Sequence, residues 1–377
     1  MSHSPTPRTV RAVVIAMASA LALLVFVPGA IAARDPIASG ITDFHLKRGF
    51  QRKLDNLGVQ VTGLGATNVT GKKVAMLVGG GKLDPTDAQG FLDNRGGFKL
   101  SLGKRGVPVT KVTVNTAKRA VYATIAKARM QLGSLSPFVN AREGFGANFK
   151  ATKVFLTEKA VRRISNRLGL KGSKRLNPGR VLSNSYSAAQ PETVTVLPQG
   201  SATLDGNIPT LGKFGAKGVK VPAGITAVAP ATKPTPTSFQ FPIAGGTLAP
   251  DAGAGTVRTN GGVQIAKEGG ATMKLLGIYA DFTEKTATVE LEILPAPPFP
   301  GAVPRASIAD LVLTGATVVA DPASRQISVQ NAEATLQAVA AATLNDVFNQ
   351  PAPEPPPASN FVVGDSFGKF SLTAQAQ

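Results

Sequence analysis

The chain carries one glycine framework twice, 165 residues apart. Gly80-Gly81-Lys82-Leu83-Asp84-Pro85 returns as Gly245-Gly246-Thr247-Leu248-Ala249-Pro250, Gly90 as Gly255, and Gly96-Gly97 as Gly261-Gly262. The offset holds from Gly80 to Leu100, which pairs with Ile265. Glycines recur at one spacing where the backbone needs positive φ or a close approach that a Cβ would block. The repeat therefore predicts one backbone shape built twice, with units at 33–198 and 199–377. Each unit is long enough to bury its own core.

The pass along the chain finds mostly short extended segments. Lys111-Val112-Thr113-Val114 alternates polar and apolar, as a half-buried strand does. Leu46, Phe50, Leu54 and Leu57 form one apolar stripe, which predicts a helix over residues 43–57 ended by Gly58. Thr157 caps a second helix that carries Ala160, Val161, Ile164 and Leu168 on one side. An alanine-rich helix at residues 336–348 takes its place in the second unit. No counterpart of the 43–57 helix is evident there, because residues 214–221 are rich in glycine. Ala287-Thr288-Val289 matches Ala123-Thr124-Ile125 at offset 164, and Thr193-Val194-Thr195-Val196 reads as the closing strand of the first unit. Residues 295–304 and 351–357 are proline-rich and extended. The fold class expected is β-dominated α+β: two repeated antiparallel sandwich- or barrel-like domains with short helices at their ends.

Residues 1–32 read as a secretory signal, with Arg8 and Arg11 before an apolar run and Ala30-Ile31-Ala32 as the cleavage site. No later stretch approaches the ~18–20 apolar residues of a membrane span, so the mature chain is expected without a transmembrane anchor. The expected location is secreted or envelope-associated. The chain has no cysteine, which excludes disulfides and thiol nucleophiles. Of two histidines, only His45 lies outside the signal. No serine sits in a G-x-S-x-G turn, and no metal-ligand spacing occurs, so the chain is expected not to be an enzyme. Charge is uneven: residues 33–180 hold 28 Lys/Arg against 8 Asp/Glu, and residues 181–377 hold 11 against 14. A basic first unit outside the cell points to an anionic partner such as cell-wall polymer. With no tryptophan and three tyrosines, stacking platforms for nucleic acid are not expected.

The run Phe239-Gln240-Phe241-Pro242-Ile243-Ala244-Gly245-Gly246, with Gly255-Thr256-Val257 and Gly261-Gly262-Val263, resembles HtaA-type domains, exported haem-binding modules of actinobacterial cell surfaces. The first unit matches more loosely, through Val78-Gly79-Gly80 and the segment from Gly90 to Gly97. The resemblance implies a non-enzymatic envelope protein and haem or a related tetrapyrrole as ligand. It also implies a tyrosine in the entry helix and a histidine in the glycine turn. This chain has Lys53 at the first position, while its turns read Asp93-Asn94-Arg95-Gly96-Gly97 and Arg258-Thr259-Asn260-Gly261-Gly262.

The remaining candidates for a haem contact are His45, Tyr122 and Tyr279. For His45 the alternative is a solvated helix face beside Arg48 and Arg52, and for both tyrosines it is a place at the rim of a strand. Arg162, Arg163, Arg167, Lys171, Lys174 and Arg175 form the densest basic cluster. They are candidates to grip a polyanion, or else a solvated helix face. The other functional expectation is therefore a structural or adhesive envelope protein that docks on anionic polymer through its first unit.

Overall fold

Strands and short helices follow one order, run through twice in the computed structural model, which describes residues 34–294, 301–349 and 360–377. The first pass comprises β1 (Asp35–Leu46), α1 (Arg48–Asn56), β2 (Gln60–Leu64), β3 (Thr67–Thr70), β4 (Lys73–Leu83), β5 (Gly90–Arg95) and β6 (Gly97–Leu102). It continues through β7 (Arg105–Asn115), β8 (Ala120–Ile125), β9 (Ala128–Leu135), β10 (Phe138–Glu143), β11 (Gly146–Leu156), α2 (Glu158–Leu168) and β12 (Val181–Pro191). The second comprises β13 (Val194–Gly206), α3 (Ile208–Ala216), β14 (Ile225–Val228), β15 (Ser238–Leu248), β16 (Gly255–Thr259) and β17 (Gly262–Ala266). It ends with β18 (Thr272–Asp281), β19 (Thr286–Leu294), β20 (Ala302–Val312), β21 (Thr317–Asp321), β22 (Gln326–Leu336), α4 (Ala338–Asn349) and β23 (Ser366–Ala376).

Of the two expected architectures, the chain adopts the barrel. In the first unit β7, β5, β4, β1, β12, β11, β9 and β8 pair in turn, and β8 pairs back on β7. In the second, β18, β16, β15, β13, β23, β22, β20 and β19 do the same, and β19 closes on β18. Closure leaves no edge between these strands for another chain to extend. Each barrel encloses its own apolar core, around Met76, Leu92 and Phe149 in the first and Phe241, Val257 and Phe348 in the second.

The repeated glycines mark the same strand crossings in both barrels. Leu83 pairs with Gly90 and Leu248 with Gly255. A Cβ on Gly90 would lie 1.9 Å from the Lys82 carbonyl oxygen, and one on Gly255 would lie 2.2 Å from that of Thr247. Both have positive φ, at 157° and 129°. The strands press together there more closely than any side chain permits.

The helices are legible locally. Thr157 accepts a hydrogen bond from the Ala160 amide, and Gly169 at φ 76° ends α2. Asn207 caps α3 in the same way, through the Thr210 amide.

Several expectations need correction. The 43–57 helix begins only at Arg48, because β1 pairs with β4 through His45 and with β12 through Leu46. Two neighbouring strands hold that segment extended against its local stripe. The second unit does have the counterpart helix, α3, despite Gly212 and Gly215, neither of which meets a neighbour that a Cβ would crowd. Val194–Val196 opens the second barrel by pairing with β15 and does not close the first. Thr288 stands opposite Tyr279 as Tyr122 stands opposite Thr113, so the true offset is 166, not 164. A two-residue slip keeps every side chain on its face, which is why the pattern hid it. Residues 302–304 belong to β20, whereas residues 295–300 and 351–357, like the signal, lie outside the described residues.

The residues from Arg34 to Gln377 form one compact unit. Phe145, from the turn between β10 and β11, is buried in the second barrel's core. Gln377 donates to the Thr86 hydroxyl at 3.1 Å. Between the barrels lies Asp35, 2 % exposed, which accepts from the Thr195 amide at 3.2 Å and meets the Arg142 guanidinium at 3.4 Å.

Candidate functional site

The alanine-rich helix decides where the molecule is open. Strand register equates α4 with α2: Leu156 pairs with Gly133 as Leu336 pairs with Ala309, and Gln337 accepts from Ala341 as Thr157 does from Val161. Arg163 therefore corresponds to Thr343, and Val161 to Ala341. In the first barrel Arg163 reaches over the end of β8 and donates to the carbonyls of Ile125 and Ala126, at 2.7 and 2.6 Å. Thr343 is too short to do this.

The neighbouring hairpin adds to the difference. β8 turns into β9 across Ala126 and Lys127, whereas β19 runs on to Leu294 before β20 begins at Ala302. Across the hairpin, Met130 corresponds to Ala306. The outcome is a cavity of about 470 Å3 between α4 and the inner faces of β18, β19 and β20. Its wall is largely aliphatic, including Met273, Leu275, Leu291, Ile293, Ile308 and Leu344. The polar side chains on it are Arg305, Ser307, Thr343 and Asp346. The spaces beside α1 and α3 are much smaller, about 30 and 20 Å3. A volume of several hundred Å3 lies within the usual small-ligand range of roughly 300–1,000 Å3.

The three expected haem contacts are not brought together here. His45 is exposed on β1, opposite Lys73 and Asn184. Tyr122 is half-buried on β8 and does not line the cavity. Tyr279 reaches the site indirectly: the Arg305 guanidinium lies over its ring, 3.9 Å from the centroid. Arg305 and Tyr279 repeat an arrangement of the first barrel, where Arg129 donates to the Thr113 hydroxyl at 2.7 Å.

The entry-helix position holds lysine in both barrels. Lys53 donates to the Ser173 carbonyl at 3.0 Å, and Lys213 pairs with Asp365 at 2.5 Å. In the glycine turn, Asn94 points inward and donates to the Val112 carbonyl. None of these groups is a haem-iron donor. Among the described residues of the cavity wall Met273 supplies the one side chain of axial-ligand type, so these residues do not fit a haem iron held as the resemblance implies. Among the described residues no group of His, Cys, Asp or Glu could hold a metal ion, and no helix is long and apolar enough to cross a membrane.

The basic cluster divides. Arg163 is spent on the β8 carbonyls, and Arg162 pairs with Glu158 along α2. Arg167, Lys171, Lys174 and Arg175 are exposed. Lys174 also lines an open groove of about 470 Å3 with Lys104 and Arg105. Those two belong to the β6–β7 turn and read in the sequence only as turn punctuation. The signal for the cavity was the contrast between an alanine-rich and a bulky helix at matching places, together with a longer hairpin.

No protein-family model matches the chain, and no curated protein matches it. Solved structures do. The C-terminal domain of HtaA from Corynebacterium glutamicum matches at 14% identity over 41% of this chain and 98% of that domain, with a TM-score of 0.34. The N-terminal domain of the same protein matches at 14% identity over 48% of this chain and 98% of that domain, with a TM-score of 0.29. A domain-swapped dimer of the H434A variant of the C-terminal domain matches at 15% identity over 38% of this chain and 90% of that one, with a TM-score of 0.28. The chain is thus similar to solved domains of HtaA, whose family its glycine segments resemble.

Proposed function

We propose that this chain is a non-enzymatic binding protein of the cell envelope whose ligand site is the cavity of the second barrel. The observation that carries the reading is the contrast between the barrels: one backbone built twice, with Arg163 bonded across the end of β8 in the first and a cavity beside Thr343 in the second. An aliphatic wall with a few polar groups at one side is the ordinary build of a small-molecule site. Among its described residues no nucleophile stands beside a base, and binding is the reading taken here. Haem is the ligand that the resemblance implies, but the donors for its iron are absent from the positions concerned.

Nile red, a neutral apolar dye, tests the reading. Residues 33–377 are expected to raise its fluorescence saturably, near one equivalent. A signal that never saturates would remove the cavity as a ligand site. Haemin added to the same protein is expected to give no sharp Soret shift. A sharp, saturable one would restore the haem reading and send mutagenesis to Met273.

A second reading rests on a different observation. Arg167, Lys171, Lys174 and Arg175 are exposed at one end of α2, beside the groove with Lys104 and Arg105. In this reading the first barrel docks on anionic cell-wall polymer, and the second carries the ligand. Replacing the four exposed residues by glutamine is expected to weaken binding to teichoic-acid-type polymer and flatten its salt dependence. Arg163→Gln, which removes an internal contact, serves as the control for stability alone. Unchanged binding in the fourfold variant would discard the patch.

A further inference from the structure

The cavity has a chemical asymmetry that narrows its ligand, given the reading of it as a binding site. Its interior is aliphatic, with Phe367 the one aromatic ring among the described residues of the wall. Flat rings are usually held between aromatic faces or by bonds to a metal, and the described residues offer one phenyl ring and no metal-binding group. Flexible hydrocarbon needs only apolar area removed from water, which this wall supplies.

One guanidinium stands at the rim. Arg305 is exposed yet lines the cavity, so it bounds the opening rather than the floor. Its position is held: the guanidinium lies over the Tyr279 ring at 3.9 Å, a cation–π contact that leaves the edge donors of the fork available. No acidic partner of Arg305 occurs among the ion pairs of the described residues. Asp346, the acidic group of the rim, belongs to α4, whereas Arg305 belongs to β20. Ser307, on the same strand as Arg305, adds a hydroxyl to the wall.

We infer that the second barrel binds a long-chain carboxylate of the fatty-acid class, its hydrocarbon in the cavity and its carboxylate on Arg305. A guanidinium and a carboxylate match as a paired fork, and the pairing is stronger than a neutral hydrogen bond. Tyr279 acts through Arg305, as a positioning residue. In the first barrel the position of Thr343 is held by Arg163, whose side chain is bonded to the end of β8.

Displacement of Nile red from residues 33–377 tests this. Palmitate is expected to displace the dye at a concentration roughly tenfold lower than hexadecanol, which has the same chain and no charge. Arg305→Gln is expected to remove that preference, so that palmitate competes no better than hexadecanol. Tyr279→Leu is expected to reduce the preference in part, because the guanidinium loses its platform. Thr343→Arg, which places in α4 the residue that holds this position in the first barrel, is expected to abolish binding of dye and palmitate together. Circular dichroism confirms that each variant is folded. If Nile red saturates but hexadecanol competes as well as palmitate, the carboxylate inference fails and the cavity remains. If the dye never saturates, the ligand site itself fails. If Arg305→Gln leaves the preference intact, Arg305 is not the head-group contact and the inference is overturned.

Discussion

Gly90→Ala and Gly255→Ala are each expected to destabilise the protein by about 3 kcal/mol or more. The added methyl would start 1.9 Å from the Lys82 oxygen in one barrel and 2.2 Å from the Thr247 oxygen in the other. Neither obstacle is a flexible side chain. Both are backbone atoms of the strand paired with the glycine, so relief requires the strands to separate. Positive φ adds strain that alanine cannot relax in place. For units of this size the loss corresponds to a fall in Tm of roughly 6–12 °C, read by far-ultraviolet circular dichroism. The two variants should suffer alike, because the crossing is the same. Gly212→Ala is the control: it lies within α3 with nothing inside 4 Å of the new methyl. There alanine is expected to stabilise by about 0.5–1 kcal/mol. A Gly255→Ala protein as stable as the parent would mean that the close crossing is not needed for the barrel.

Asp35→Ala is expected to cost about 3–5 kcal/mol, the range for breaking a buried ion pair from one side. The carboxylate sits between the barrels, with the Thr195 amide and the Arg142 guanidinium on it and Arg325 nearby. Arg142 Nε and Arg325 Nε and Nη2 are buried without a hydrogen-bond partner, so removing Asp35 leaves two guanidinium charges with no counter-charge between them. Asp35→Asn keeps an acceptor for the Thr195 amide and is expected to cost less. The pH dependence separates charge from packing. Burial raises the Asp35 pKa above the ordinary aspartate value, outweighing Thr195 and the two arginines, which pull it down. The folded state then binds that proton more tightly than the unfolded state. Its contribution to stability falls as pH rises from the ordinary aspartate range through the raised folded value. Asp35→Asn should flatten that segment of the urea midpoint against pH. An unaltered profile would show that Asp35 does not titrate in the way its burial requires.

The repeat, the strand alternation and both caps of α2 were legible because each depends on neighbours in the chain. Thr157 and Gly169 act within a turn of the residues they serve. The glycine framework was legible for a related reason: a close strand crossing tolerates no Cβ, so its residue type shows even when its partner is unknown. What sequence reading misjudged depends on partners far along the chain. The stripe from Leu46 to Leu57 predicts a helix over residues 43–57, yet β4 and β12 hold residues 43–46 extended from both sides. The 164 offset was misread because a slip of two residues preserves every face of a strand.

The sequence by itself determined that a backbone with close glycine crossings is built twice, that neither copy can use thiol chemistry, and that positive charge gathers in the first. Those properties belong to residue types and their spacing. Only the tertiary structure decided that each sheet closes into a barrel, because closure needs the first strand of each unit to pair with its last, β1 with β12 and β13 with β23, across nearly the whole unit. Only the tertiary structure decided which barrel is open. In one barrel an arginine reaches across to two strand carbonyls, and in the other a threonine stands at the same place beside about 470 Å3 of cavity. A cavity is the space that several distant segments fail to fill together, and no one segment of sequence carries that information.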